Sequence, residues 1–146
     1  MNYTTSIKVN ARKENAFEAI ASELEKWWGK VDNPGTQEGD EFTISFGRTK
    51  WRFVVTRYSK YNQINWKCIN AAHFVDGFTN IEEEWLNTEL FWKFKKNNGY
   101  VEISLEHSGL TPSLNCYKIC ESGWNFFITT SLKNYLETGE GNPRIE

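Results

Sequence analysis

The chemistry open to this 146-residue chain rests on few side chains, among them two histidines and three cysteines. His107 closes an alternating run in which Val101, Ile103 and Leu105 share its face, opposite Glu102, Ser104 and Glu106. Alternation therefore turns its imidazole towards the apolar side of a strand. There it either hydrogen-bonds a ligand or fastens the strand end to the loop that follows. A proton-transfer role requires a partner, and the sequence identifies none. Cys68 as a nucleophile requires an adjacent base or a positive environment, and no Cys-His-Asn pattern is legible. With Trp66 and Thr88 it is instead expected to face a cavity, provided the strand register holds; a one-residue slip would turn all three outward.

Cys116 and Cys120 are four residues apart in a helical segment and so share a face. Two thiols with only two histidines do not make a zinc set by spacing, and buried structural thiols are expected. No metal and no cofactor is expected. His73 lies in a long connection and is expected to face water, as is the acidic run Glu82-Glu83-Glu84. Gly139-Glu140-Gly141 follows a helix and lacks the Lys-Ser/Thr of a phosphate loop.

The elements that position these residues show in the hydrophobic period. Tyr3, Ile7 and Val9 mark a first strand. Ala16, Phe17, Ala19, Ile20 and Leu24 recur at helical spacing, ending near Trp27-Trp28-Gly29. Residues 32–40 are dense in turn formers. Period two then returns in Phe42-Ile44-Phe46, Trp51-Phe53-Val55 and Ile64-Trp66-Cys68, an antiparallel meander with inner-face aromatics. After a connection over 70–83, a strand is expected from Trp85 to Phe94, with Leu86, Thr88, Leu90, Trp92 and Phe94 on one face. Asn97-Asn98-Gly99 makes a hairpin turn, and Val101–His107 the last strand. Ser108–Pro112 breaks the sheet. From Ser113 a long helix carries a stripe that includes Tyr117, Cys120, Trp124, Phe127, Ile128 and Ser131. Strands followed by a long helix fit α+β and not a parallel α/β sheet.

Composition narrows the function classes. A net charge of −2 with mixed signs lacks the basic footprint of a nucleic-acid binder. No stretch approaches the roughly 20 apolar residues that span a bilayer, and the polar N-terminus lacks a signal-peptide core, so a cytoplasmic protein of one domain, residues 1–146, is expected. Seven Trp, ten Phe and six Tyr supply an aromatic load that either lines a pocket or fills it.

Several local motifs stand in a recognisable order: Ala16-Phe17-Glu18-Ala19-Ile20 before Trp27-Trp28, Gly39-Asp40-Glu41-Phe42, Ile64-Asn65-Trp66-Lys67-Cys68, and Glu84-Trp85-Leu86-Asn87-Thr88. Leu105-Glu106-His107-Ser108-Gly109-Leu110, Cys120-Glu121-Ser122-Gly123-Trp124 and Ser131–Gly139 follow. Together they resemble the START-like (SRPBCC, birch-pollen-allergen) superfamily, and within it the branch named after activators of a heat-shock chaperone ATPase. The resemblance implies a helix-grip fold, a curved antiparallel sheet wrapped around a long C-terminal helix that closes a cavity. It implies an apolar or amphipathic small-molecule ligand as the first reading. Phe46, Phe53, Trp66, Cys68, Thr88, His107, Trp124 and Phe127 are the expected contacts. A protein-interaction domain, co-chaperone-like or homodimeric, is the second reading. A cyclase- or hydrolase-type enzyme is the third; it needs an acid–base pair, and Glu89 and Glu106 are expected on the strand faces opposite His107. Trp27 and Trp28 either pack under the long helix or form a pocket rim.

Overall fold

Strand alternation builds one wall of the molecule. In the computed structural model, which describes residues 1–144, seven strands form one antiparallel, curled sheet. They are β1 (Tyr3–Val9), β2 (Lys30–Val31), β3 (Glu41–Phe46), β4 (Thr49–Ser59), β5 (Gln63–Ala72), β6 (Glu89–Asn97) and β7 (Tyr100–Ser108). Their spatial order is β1-β7-β6-β5-β4-β3-β2. Phe42, Ile44, Phe53, Val55, Ile64, Trp66, Cys68, Leu90, Trp92, Ile103 and His107 all point inward and are buried. The register expected for Trp66 and Cys68 is therefore the observed one. Register shifts in the β4–β5 pairing, at Arg52/Phe53 and Val55/Arg57, add the local twist that helps curl the sheet.

Helix α1 (Lys13–Ala21) and a 3-10 turn, Leu24–Lys26, follow β1. The C-terminal helix runs as α2 (Tyr117–Phe126), a π-helical stretch Phe127–Leu132, and α3 (Lys133–Thr138). It lies across the concave face and closes the core with Cys120, Trp124, Ile128, Ser131 and Leu132. The architecture is the helix-grip α+β arrangement.

The helix is pinned at its π-helical stretch. Ser131 is fully buried, and its hydroxyl donates to the Trp27 carbonyl at 2.6 Å while accepting the Asn142 N–H at 2.7 Å. One side chain thus ties the helix to the 3-10 turn and to the tail. Tyr3 Oη to Asn125 at 2.6 Å and Tyr135 Oη to Glu23 at 2.9 Å add two more ties.

Four local expectations change. The long helix expected from Ser113 begins at Tyr117, after turns. The strand foreseen from Trp85 begins only at Glu89. Residues 81–88 wind instead through successive turns, with Glu84 N–H to Ile81 O, Leu86 N–H to Glu83 O and Thr88 N–H to Trp85 O. Asn87 supplies the positive φ of 68° that this path needs. Leu86 is left at the surface, while Trp85 and Thr88 are buried. Tertiary packing of Trp85 overrides the period-two pattern. His73, expected in water, is only 5 % exposed. Glu84, expected to be solvated, accepts the Asn115 and Cys116 N–H groups at 2.9 and 2.8 Å, so it holds the chain entering α2.

Gly109 makes the turn from β7 towards the helix at φ +99°, and a Cβ there would sit 2.8 Å from Thr88 Cγ2. Gly109→Ala should destabilise by about 1–3 kcal/mol from the backbone alone, plus the clash. Gly39→Ala, at φ +90° with nothing within 4 Å, should cost less. Urea midpoints of the two variants check this; equal losses would remove the Thr88 contact from the account.

Candidate functional site: an aromatic cleft beneath the C-terminal helix

The interior is filled with rings. Trp27, Trp28, Trp66, Trp92 and Trp124 pack in mutual contact, with Trp28 stacked parallel to Trp66 at 6.3 Å and 4.9 Å from Trp124. Both Trp27 and Trp28 are buried, and the Trp27 indole N–H donates to the Ala19 carbonyl at 2.8 Å. The aromatic load thus plugs the middle of the space between sheet and helix.

One end stays open. A half-open cleft of about 260 Å³ lies between α2, the start of β4 and the connection after β5. Its apolar walls are Trp28, Phe46, Trp51, Trp85, Trp124 and Phe127. Trp51 and Trp85 stack face to face at 3.9 Å, 11° from parallel. Thr49, His73, Cys120, Ser122 and Arg144 supply its polar groups. Phe74 and Phe126 reach the same cleft and are 38 % and 39 % exposed, and the Arg48 guanidinium lies over the Phe74 ring at 4.4 Å.

The eight residues expected from the sequence divide between two places. Phe46, Trp124 and Phe127 line the cleft. Phe53, Trp66, Cys68, Thr88 and His107 are buried behind these walls and do not line the cleft. Trp51, Trp85, His73 and Thr49 were not foreseen. Trp51 and Trp85 stand 34 positions apart on a strand and in a turn, and no local pattern announces that they stack.

His107 sits in a single hydrogen-bonded chain. The Trp124 indole N–H can only donate, so His107 Nδ1, 3.1 Å away, accepts. The proton then resides on Nε2, which donates to Thr88 Oγ1 at 2.9 Å, and that hydroxyl donates to the Trp85 carbonyl at 2.6 Å. Burial lowers the imidazole pKa from 6.5 to about 3, so the ring is neutral at physiological pH. This chain fastens the end of β7 both to the helix and to the turn at Trp85–Thr88.

Cys68 is buried, and its thiol donates to the Asn70 carbonyl at 3.3 Å. Burial pushes its pKa up to about 12, which keeps it protonated and non-nucleophilic at neutral pH. Among the described residues no helix is long and apolar enough to cross a membrane.

No family model matches the sequence, and no curated protein matches it. Solved structures do match in shape. The Aha1 dimer from Colwellia psychrerythraea superposes with a TM-score of 0.80 at 22 % identity, over 97 % of this chain and 99 % of that one. DynU16, from the dynemicin biosynthetic locus, gives 0.73 at 16 % identity, over 96 % of this chain and 48 % of that one. CalU16 from Micromonospora echinospora gives 0.66 at 14 % identity, over 97 % and 76 %. At such identities the likeness speaks for the fold alone. The curled sheet gripped by a C-terminal helix, expected from the START-like resemblance, is therefore the fold this chain shares with the Aha1, DynU16 and CalU16 structures.

Proposed function

We propose that the protein binds a small, flat apolar or amphipathic molecule in the cleft beneath α2. The observation that carries this reading is the arrangement of the walls: stacked indoles at the base, two half-exposed phenylalanines at the mouth, and a few polar groups between them. Ligand sites have this make-up, mostly apolar with few placed polar groups. The space is small because Trp28, Trp66 and Trp92 occupy what would be the deep part of a larger cavity, so the ligand is small or only partly engulfed.

Gly123 gives a clean test. It lies on α2 at the cleft, and a Cβ there meets nothing within 4 Å. Gly123→Leu should fill the cleft and, through helix propensity, stabilise the fold by about 0.5–1 kcal/mol. Titration with 1-anilinonaphthalene-8-sulfonate should show one saturable site in the native chain and its loss in Gly123→Leu. Binding that is absent, or the same in both, would sink the reading.

A second reading, a protein-interaction or homodimer surface, draws on the half-exposed Phe74 and Phe126 and on the dimer formed by the Colwellia protein. Sedimentation of the native chain and of Phe126→Asp separates it: a dimer abolished by the substitution supports an interface at the cleft mouth.

A further inference from the structure

The fold brings His73 against the Cys116–Cys120 pair. Cys116 precedes α2 and Cys120 lies one turn on, its N–H bonded to the Cys116 carbonyl at 2.8 Å. His73 comes from the connection after β5, more than 40 positions earlier in the chain. One nitrogen of His73 and the two sulfurs all lie within 4.8 Å of one another, and all three residues are buried. From this geometry we propose that His73, Cys116 and Cys120 form a binding site for a divalent zinc-like cation, with the fourth position open to the cleft.

Three observations support the site. His73 Nδ1 is buried with no hydrogen-bond partner among the described residues. Among the described residues, the other buried side-chain polar atoms without partners are indole N–H groups of Trp51, Trp66 and Trp92, which can only donate. His73 alone among them carries a ring that can offer a lone pair. The ring is also held in place: Trp51 packs on it at 4.8 Å, its backbone N–H bonds Glu82 O at 3.0 Å, and the Thr49 hydroxyl clamps the Phe74 backbone beside it. Finally, the Trp85 indole N–H donates to Cys120 Sγ at 3.3 Å, the kind of outer contact that stabilises a ligating thiolate.

The donor set selects the ion. Two thiolates and a neutral imidazole around a divalent cation give zero net charge, which a buried site tolerates; a monovalent ion would leave a buried negative charge. Sulfurs 2.3 Å from a tetrahedral zinc stand about 3.8 Å apart, so the donors close by no more than about 1 Å on binding. Each ion displaces one proton from each thiol, and both protons go to solvent. Each thiol must lose its proton to ligate the ion, so affinity rises with pH. His73 and Cys120 both reach the cleft, where water or a ligand donor atom completes the coordination. The site does not depend on the cleft taking an apolar molecule.

The test uses reduced, tag-free full-length protein stripped with a chelator. Native mass spectrometry after adding one equivalent of zinc should show one adduct per chain, heavier by zinc less two protons. Cobalt titrated in its place should give sulfur-to-metal charge transfer and tetrahedral visible bands. Cys116→Ser, Cys120→Ser and His73→Gln should each weaken binding on the order of 100-fold or more, while Cys68→Ser, at the separate thiol, should leave it intact. An adduct that loses no protons, cobalt spectra without charge transfer, or affinity that survives all three variants would overturn the proposal. The mass and cobalt measurements need no variant, so a substitution that unfolds the chain cannot mask the answer.

Discussion

Acidification from about pH 7 to about pH 4 should destabilise this protein by about 3 kcal/mol through His107 alone. The sign follows from the two states. Unfolded, the imidazole titrates near 6.5; folded, burial holds it near 3. Above pH 6.5 the ring is neutral in both states, and its contribution is complete. Below 6.5 the unfolded chain takes up a proton that the folded chain refuses. Each further pH unit then costs about 1.4 kcal/mol until the folded pKa is reached. Protonation would also turn Nδ1 into a donor facing the Trp124 N–H, so the buried chain through Thr88 and Trp85 would break at its first link. His107→Gln keeps one donor and one acceptor but does not titrate. Its urea-unfolding free energy, measured across this range, should lose most of the acid slope, whatever its stability at neutral pH. A slope unchanged from the native chain would mean that other groups set the acid sensitivity.

Trp28→Ala should be the most damaging single substitution at the cleft, costing about 3–5 kcal/mol. Trp28 is 2 % exposed and meets rings from three directions: Trp66 and Phe53 on the sheet, Trp124 on the helix, and Trp27 beside it in the chain. Those neighbours are themselves anchored, Trp27 by its bond to Ala19 O and Trp124 by His107, so they cannot collapse into the gap. The loss is a large share of the roughly 5–15 kcal/mol that holds a typical domain folded. Because Trp28 also forms the inner wall of the cleft, the surviving folded fraction should bind larger apolar probes than the native chain. Urea denaturation followed by far-UV circular dichroism reads the first effect, and probe titration below the unfolding midpoint reads the second. An unchanged midpoint would show that the ring cluster relaxes freely.

Side-chain period by itself determined the strands at residues 3–9, 42–46, 51–56, 64–68 and 101–107, the hairpin turn at Asn97–Gly99 and the stripe of the long helix. Each rests on neighbours two, three or four positions apart, and backbone geometry turns such spacings directly into faces. The inward direction of Trp66, Cys68 and His107 was legible for the same reason. The turn over residues 81–88 was not, because Trp85 leaves the alternating pattern to stack on Trp51, a partner 34 positions away. His73 likewise reads as a loop histidine until the helix start, held by Glu84, covers it. Whether the aromatics would line a cavity or fill it lay beyond any local pattern, because it depends on how seven indoles share one volume. Only the tertiary structure decided that Trp28, Trp66 and Trp92 plug the centre, that the open space moves to the end beside Trp51 and Trp85, and that two thiols and a distant imidazole meet there.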